Sequence, residues 1–194
     1  LKQRCLSRIW CWGEVIAEAD RAQFEQEQRQ RRGEDFSIME PDGKGQPRPA
    51  GVREVYYPLM LAAPNEVDQQ SIIGYDLGHE PHRLAALQEA IRTGLPTATQ
   101  PILHAYLTKG TKGVDLFYPV QNQNQPQTIN SFVMAAVSLD ELINRNSHEH
   151  RHIQLSFWPI GDGVEEELIV GGKPPKPHRQ LNHQFEFSRP VAYF

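Results

Sequence analysis

Cysteine is nearly absent from this sequence of 194 residues: only Cys5 and Cys11 occur, close together near the start. One local disulfide is the most they allow, and neither a disulfide framework nor a cysteine-based zinc site follows from them. No apolar run approaches the roughly 20 residues of a membrane-spanning helix. Positive charge is short too. Lys and Arg number 20 against 24 Asp and Glu, a formal charge of −4, so the basic field on which sequence-independent nucleic-acid binding relies is missing. DNA and RNA are therefore not expected as partners. No GxSxG elbow, GxxxxGK loop or strand-to-helix GxGxxG occurs, and neither cysteine sits in a nucleophile context. No catalytic residue is expected, and no cofactor. The chain opens abruptly on LKQRC without Met or a signal peptide, and reads as a segment of something longer.

What is present is enough to build a core, since 39% of the residues are hydrophobic. SRIWCWGEV sets Ile9, Cys11 and Gly13 against Trp10, Trp12 and Glu14, which predicts a strand. Residues 17–32 predict a surface helix pinned by Phe24 and stopped by Gly33. FSIMEP predicts a short strand ended by Pro41, and DGKGQPRPAG a loop. VYYPLMLAA and SIIGYDL predict strands. Residues 81–93 predict a helix, with Pro81 in the first turn, Leu84, Leu87, Ala90 and Ile91 on one face and Gly94 as the stop. PILHAYLTKG and GVDLFYPVQ follow as a hairpin-like pair. Then come a polar loop, QNQNQPQTIN, a strand, SFVMAAVSL, and a short helix, DELINR. The expected class is α+β, an antiparallel sheet with helices on one side. From Ser147 the pattern weakens, and a second, smaller α+β piece is expected.

Three features bear on chemistry. His148, His150 and His152 alternate in HEHRH, so a strand would set them on one face where imidazoles converge on zinc or copper; a solvated strand end is the competing reading. Asp76 interrupts the apolar SIIGYDL beside Gly74, which leaves a gap for a ligand; the competing role is a cap on the turn into the next helix. Thr108 shares a face with Tyr106 and His104 and offers a hydroxyl, or ends its strand as a turn residue. Glu165, Glu166 and Glu167 read as a solvated turn.

The ordered succession of motifs is more specific than any of these. ADRAQFE (19–25), FSIMEP (36–41), REVYYPL (53–59), IGYDLGHEPHRLAALQEAIRTG (73–94), TATQPILH (97–104) and GVDLFYPVQ (113–121) stand in one order over about 100 residues. This run resembles the CHASE domain, the extracytoplasmic sensory module of membrane-bound histidine kinases, nucleotide cyclases and cyclic-diguanylate enzymes. The resemblance implies a PAS-like architecture: a membrane-distal lobe (34–145) whose concave sheet holds a small molecule, and a smaller membrane-proximal lobe (146–194). It implies a periplasmic or extracellular location, attachment to transmembrane and cytoplasmic output domains, and a homodimer in the full-length protein. In the plant cytokinin receptors of the family an Asp and a later Thr contact the hormone, and the matching positions are Asp76 and Thr108. Tyr75, Ala98, Tyr106, Leu116, Tyr118, Met134 and Ala136 are then expected as pocket wall. The segments 110–120 and 121–130 differ from the plant receptors, so the resemblance does not carry cytokinin over as the ligand. A structural dimerisation or metal-binding module without a small-molecule pocket is the rival expectation.

Overall fold

The computed structural model describes residues 7–32, 36–63, 72–103, 112–122, 125–139, 141, 156–157 and 170–171. Alternation in the first strand sorts its residues as expected. In β1 (Ser7–Glu14), Ile9, Cys11 and Gly13 are buried while Trp10 stands half exposed on the opposite face. After β2 (Ile16–Ala17) the chain enters α1 (Glu18–Arg32), with Glu18 and Asp20 in its first turn and Arg29, Arg31 and Arg32 in its last, which suits the helix dipole at both ends. Phe24 pins it, edge-on to Phe36 at 5.9 Å. Polar bonds add to that anchor: buried Glu25 accepts from Arg21 Nε, Arg29 Nη2 and the Ile38 backbone N–H, each at 3.0 Å.

The Gly- and Pro-rich segment departs from the expected loop. β3 (Met39–Pro41) and β4 (Pro47–Pro49) pair as a small antiparallel ladder. The turn between them is built by Asp42, whose Oδ1 accepts from the backbone N–H groups of Lys44 and Gln46. Proline suits a two-stranded ribbon because its fixed φ is extended and its missing donor faces outward. VYYPLMLAA is split at Tyr57 and Pro58 into β5 (Val55–Tyr56) and β6 (Leu59–Ala63), which join different sheets.

SIIGYDL is likewise no strand of the main sheet. Tyr75 N–H donates to Ile72 O in a turn, Gly74 takes φ of 85° with Ser37 O only 2.8 Å from where a Cβ would sit, and single bridges tie Tyr75 to Met39 and Asp76 to Pro58. A 3-10 helix (Leu77–His79) leads into α2 (Pro81–Thr93), which begins on Pro81 and stops at left-handed Gly94 as expected. Its buried Arg83, Ala86, Leu87 and Ala90 face the sheet.

β7 (Thr97–Ala98), β8 (Ile102–Leu103), β9 (Lys112–Asn122) and β10 (Gln125–Ser138) complete a six-stranded antiparallel sheet. Its order is β6-β1-β10-β9-β7, with β8 also on β9. The polar 121–130 segment, expected as a loop, largely extends these two strands: Gln121 pairs with Ile129 and Asn122 with Gln125, past register shifts on β10. Backbone pairing there continues beyond the apolar core. Leu139, expected as the last residue of the strand SFVMAAVSL, is already helical, as is Glu141 of DELINR, the rest of which lies outside the described residues; β11 (Ser156–Phe157) and β12 (Val170–Gly171) form a separate pair in the C-terminal part. Among the described residues no helix is long and apolar enough to cross a membrane.

Register places Cys11, Met134 and Phe117 abreast on one face of the sheet. With Ile9, Phe132, Ala136, Tyr57, Leu59, Leu77 and the apolar face of α2 they form one core cluster. Phe132 fits only because its partner on β1 is Gly13: a Cβ there would lie 2.1 Å from Phe132 Cζ. Gly13→Ala is expected to lower stability by about 2 kcal/mol through overpacking, read as a shift of the urea midpoint without a change in slope.

Candidate functional site

Among the described residues two carboxylates, Asp76 and Asp115, are buried without exposure, and both border the core cluster. Asp76 sits where the turn after Gly74 meets the 3-10 helix. Its Oδ1 accepts from Tyr57 N–H at 2.7 Å and from Gly78 N–H at 3.0 Å, the second bond capping the 3-10 helix. Its Oδ2 lies 2.9 Å from Arg53 Nη1, an ion-pair contact not aligned as a hydrogen bond. Arg53 also pairs with buried Glu40, which Arg48 reaches from the other side at 2.8 Å. Burial alone would raise the Glu40 pKa, but the hydrogen bond from Arg48 and the charge of Arg53 outweigh it and hold the carboxyl below its ordinary value. Nearby, His79 Nδ1 donates to Asp76 O at 2.7 Å, which leaves Nε2 to accept from Tyr75 Oη at 3.2 Å. Burial first, then the Asp76 charge, pushes the Tyr57 hydroxyl upward.

The second carboxylate, Asp115, was not singled out by sequence reasoning. It sits in the middle of β9 on the Phe117 face, and Arg83 of α2 donates from Nε to its Oδ2 at 2.8 Å. Thr99 steadies the strand here: its Oγ1 accepts from Asp115 N–H at 3.0 Å, and its own N–H donates to Asp115 O at 2.9 Å. Cys11 belongs to the same face, and burial, with the Asp115 charge adding to it and Arg83 opposing, pushes its thiol up to about 12. The thiolate is thus disfavoured and Cys11 is a core residue. The signal for Asp115 was present in GVDLFYP, where alternation puts it in phase with Phe117. Arg83 also lines an open cleft of about 370 Å³ with Glu80, His82, Pro101 and Ile102.

The remaining expected wall residues divide. Met134 and Ala136 face the core cluster, buried, beside Phe117 and Asp115. Leu116 and Tyr118 alternate onto the opposite face, where Leu116 pairs with Ala98 and Ala135, and Tyr118, 60% exposed, pairs with Val133. One wall cannot hold both groups, because neighbours in a strand point to opposite sides. Tyr75 is half-buried against His79. Thr108, Tyr106 and the three histidines His148, His150 and His152 lie outside the described residues. Among those that are described, no group of His, Cys, Asp or Glu is arranged to hold a metal ion.

Comparison with protein families decides what kind of domain this is: the model of the CHASE domain matches residues 6–169, most of the chain. The chain belongs to the CHASE domain family. CHASE domains are the sensor domains of signalling receptors, typically extracytoplasmic, and do not themselves catalyse a reaction. No curated protein matches the chain.

Two outcomes follow from the Asp76 network. Asp76→Ala strips two backbone N–H groups and Arg53 of their acceptor, and should cost about 3 kcal/mol of stability by urea unfolding. For Glu40 the folded pKa is lowered from 4.5, so its stabilisation is present above that value and is lost as pH falls through the folded value. Glu40→Gln should therefore be less stable at neutral pH and show a shallower loss between about pH 5 and pH 3, measured by urea titrations across that window.

Proposed function

We propose that this CHASE domain is the extracytoplasmic small-molecule sensor of a transmembrane receptor, passing ligand binding to a cytoplasmic output domain of the diguanylate cyclase, phosphodiesterase or histidine kinase type. The observation that carries the reading is the pair of buried carboxylates, each held by an arginine, at the border of one apolar cluster between α2 and the sheet. A mostly apolar site with a few placed polar groups is the usual form of a small-molecule pocket. In this reading 34–145 is a PAS-like membrane-distal lobe and 146–194 a smaller proximal one. Met134 and Ala136 form the floor beneath α2, and Asp76 and Thr108 supply polar contacts. Asp76 acts there through the Arg53 contact, since its other oxygen is committed to Tyr57 and Gly78. The receptor works as a homodimer, and ligand binding shifts the population of lobe packings.

One observation favours a second reading, an interaction module with no small ligand: the Asp76 carboxylate is already engaged from within the chain. A thermal-shift screen of the chain against purines, amino acids, small carboxylic acids and metal salts separates the two. A ligand at 100-fold excess over its Kd is expected to add about 2.7 kcal/mol of stability. Thr108→Val, with unchanged melting in the absence of ligand, should lose most of that shift. A shift with metal salts alone would move the site to His148, His150 and His152. No shift with any compound would leave the interaction module.

A further inference from the structure

The buried apolar side chains of the described residues fall into two clusters, and the helices over them are held in different ways. To the first, α2 gives Ala86, Leu87 and Ala90, with Leu84 and Ile91 packed alongside, and its Arg83 donates to Asp115 on β9. Lifting α2 would part the two charges of a buried ion pair, which is strongly unfavourable. To the second, α1 gives only Phe24, in a cluster with Phe36, Ile38, Tyr56 and Met60. Glu25, the buried carboxylate of α1, has its ionic partners on the same helix, Arg21 and Arg29, four residues to either side. Lifting α1 carries that triad away whole and parts none of its ion pairs.

The bonds from α1 to the rest of the protein end on uncharged groups. Arg21 Nη1 donates to Ala50 O at 3.0 Å, Arg29 Nε to Phe36 O at 2.8 Å and Arg32 Nη2 to Met60 O at 3.1 Å, while Ile38 N–H donates to Glu25. Each exchanges for a bond to water as α1 lifts, and the Arg29 side chain is already 44% exposed. The helix also carries its own support, because Gln23 bonds Glu27 and Arg32 bonds Gln28 at the same four-residue spacing as the ion pairs. At its first turn the attachment gathers on one hydroxyl. Tyr56, whose side chain is fully buried, accepts from Arg21 Nη1 at 3.0 Å and from Arg53 N–H at 3.2 Å, and donates to Glu18. Arg53 is the residue that contacts Asp76, so this hydroxyl joins the start of α1 to the Asp76 network.

We propose that α1 is a releasable strap, which lifts from Phe36, Ile38 and Met60 as one unit while the six-stranded sheet and α2 stay folded, and that the Tyr56 hydroxyl is its latch. The inference stands apart from the sensor reading and does not need a small ligand.

Native-state hydrogen exchange of the 194-residue chain, at urea concentrations below the unfolding transition, provides the test. The α1 amides beyond the first turn are expected to exchange as a group about 100-fold faster than those of β1 and β10, with a shared urea dependence weaker than that of global unfolding. Gly13→Ala weakens the sheet, which both the closed and the lifted states contain. It should therefore speed exchange in β1 and β10 at least about tenfold and leave the α1 rates unchanged. Tyr56→Phe keeps the ring and removes the latch, and should speed α1 exchange about tenfold. Exchange of α1 at the rates and with the urea dependence of β1 and β10 would overturn the proposal. So would α1 rates that rise in step with the sheet in Gly13→Ala, α1 amides that share no urea dependence, or α1 rates that Tyr56→Phe leaves unmoved.

Discussion

The Asp76 carboxylate is the constraint around which the chain between β5 and α2 is arranged. Three residues meet at this one side chain, Tyr57 and Gly78 through their backbone N–H groups and Arg53 through its guanidinium, while the Asp76 backbone N–H donates to Met39 O at 2.8 Å. None of these contacts lies within the ladders of the main sheet. A segment that leaves the sheet still carries donors and acceptors that cannot be buried unpaired, and a fully buried carboxylate satisfies two donors at once. The chain between β6 and α2 thus has a fixed path without being a strand, and that path sets where α2 begins.

Arginine is the recurring partner in this protein because several of its acceptors are half-buried. Arg21 divides itself between Glu25, Ala50 O and the Tyr56 hydroxyl, and lies 4.7 Å from the centroid of the Tyr56 ring. Arg29 and Arg32 hold Phe36 O and Met60 O. A planar fork of donors reaches several acceptors from one position and remains charged throughout, which an ammonium does less well in a partly dry setting. The weakly apolar α1 is consequently attached by directed bonds more than by area, and Phe24 is its main apolar anchor.

Much of this was legible in the sequence, and the limits of legibility have physical causes. α2 was predicted to the residue because Pro81 at its start and Gly94 at its end act locally, and β1 because strict alternation survives wherever one face is buried. SIIGYDL misled because a short apolar run is compatible with any buried conformation; apart from its turn bonds, its backbone bonds are made to partners 15 or more residues away in sequence, at Met39, Leu59 and Tyr57, and nothing local announces them. The Gly- and Pro-rich ladder was read as a loop because composition penalises proline in sheets, although the penalty falls on paired donors and hardly applies in a two-stranded ribbon. Of the two polar readings of Asp76, the capping bond to Gly78 is realised in the structure, and the same carboxylate takes on the Arg53 contact that short-range reasoning could not supply. Arg83 and Asp115 stand 32 residues apart, and each reads alone as an ordinary polar residue of a helix or strand; only the packing of α2 on β9 makes them a pair.

That pairing has a mechanical consequence for a sensor. Apolar contacts between a helix and a sheet are non-directional and tolerate small slides, whereas a buried ion pair has a narrow range of acceptable geometry and a steep cost outside it. The Arg83–Asp115 contact therefore gives α2 a defined seat on β9, while Ala86, Leu87 and Ala90 supply adhesion that would permit others. A domain that reports occupancy needs an element with distinct arrangements and a local interaction that chooses between them. In this fold the polar tie is the interaction with the required sharpness. It lies at the N-terminal end of a helix whose entry is set by Asp76, so the two buried carboxylates act on the same element from adjacent positions.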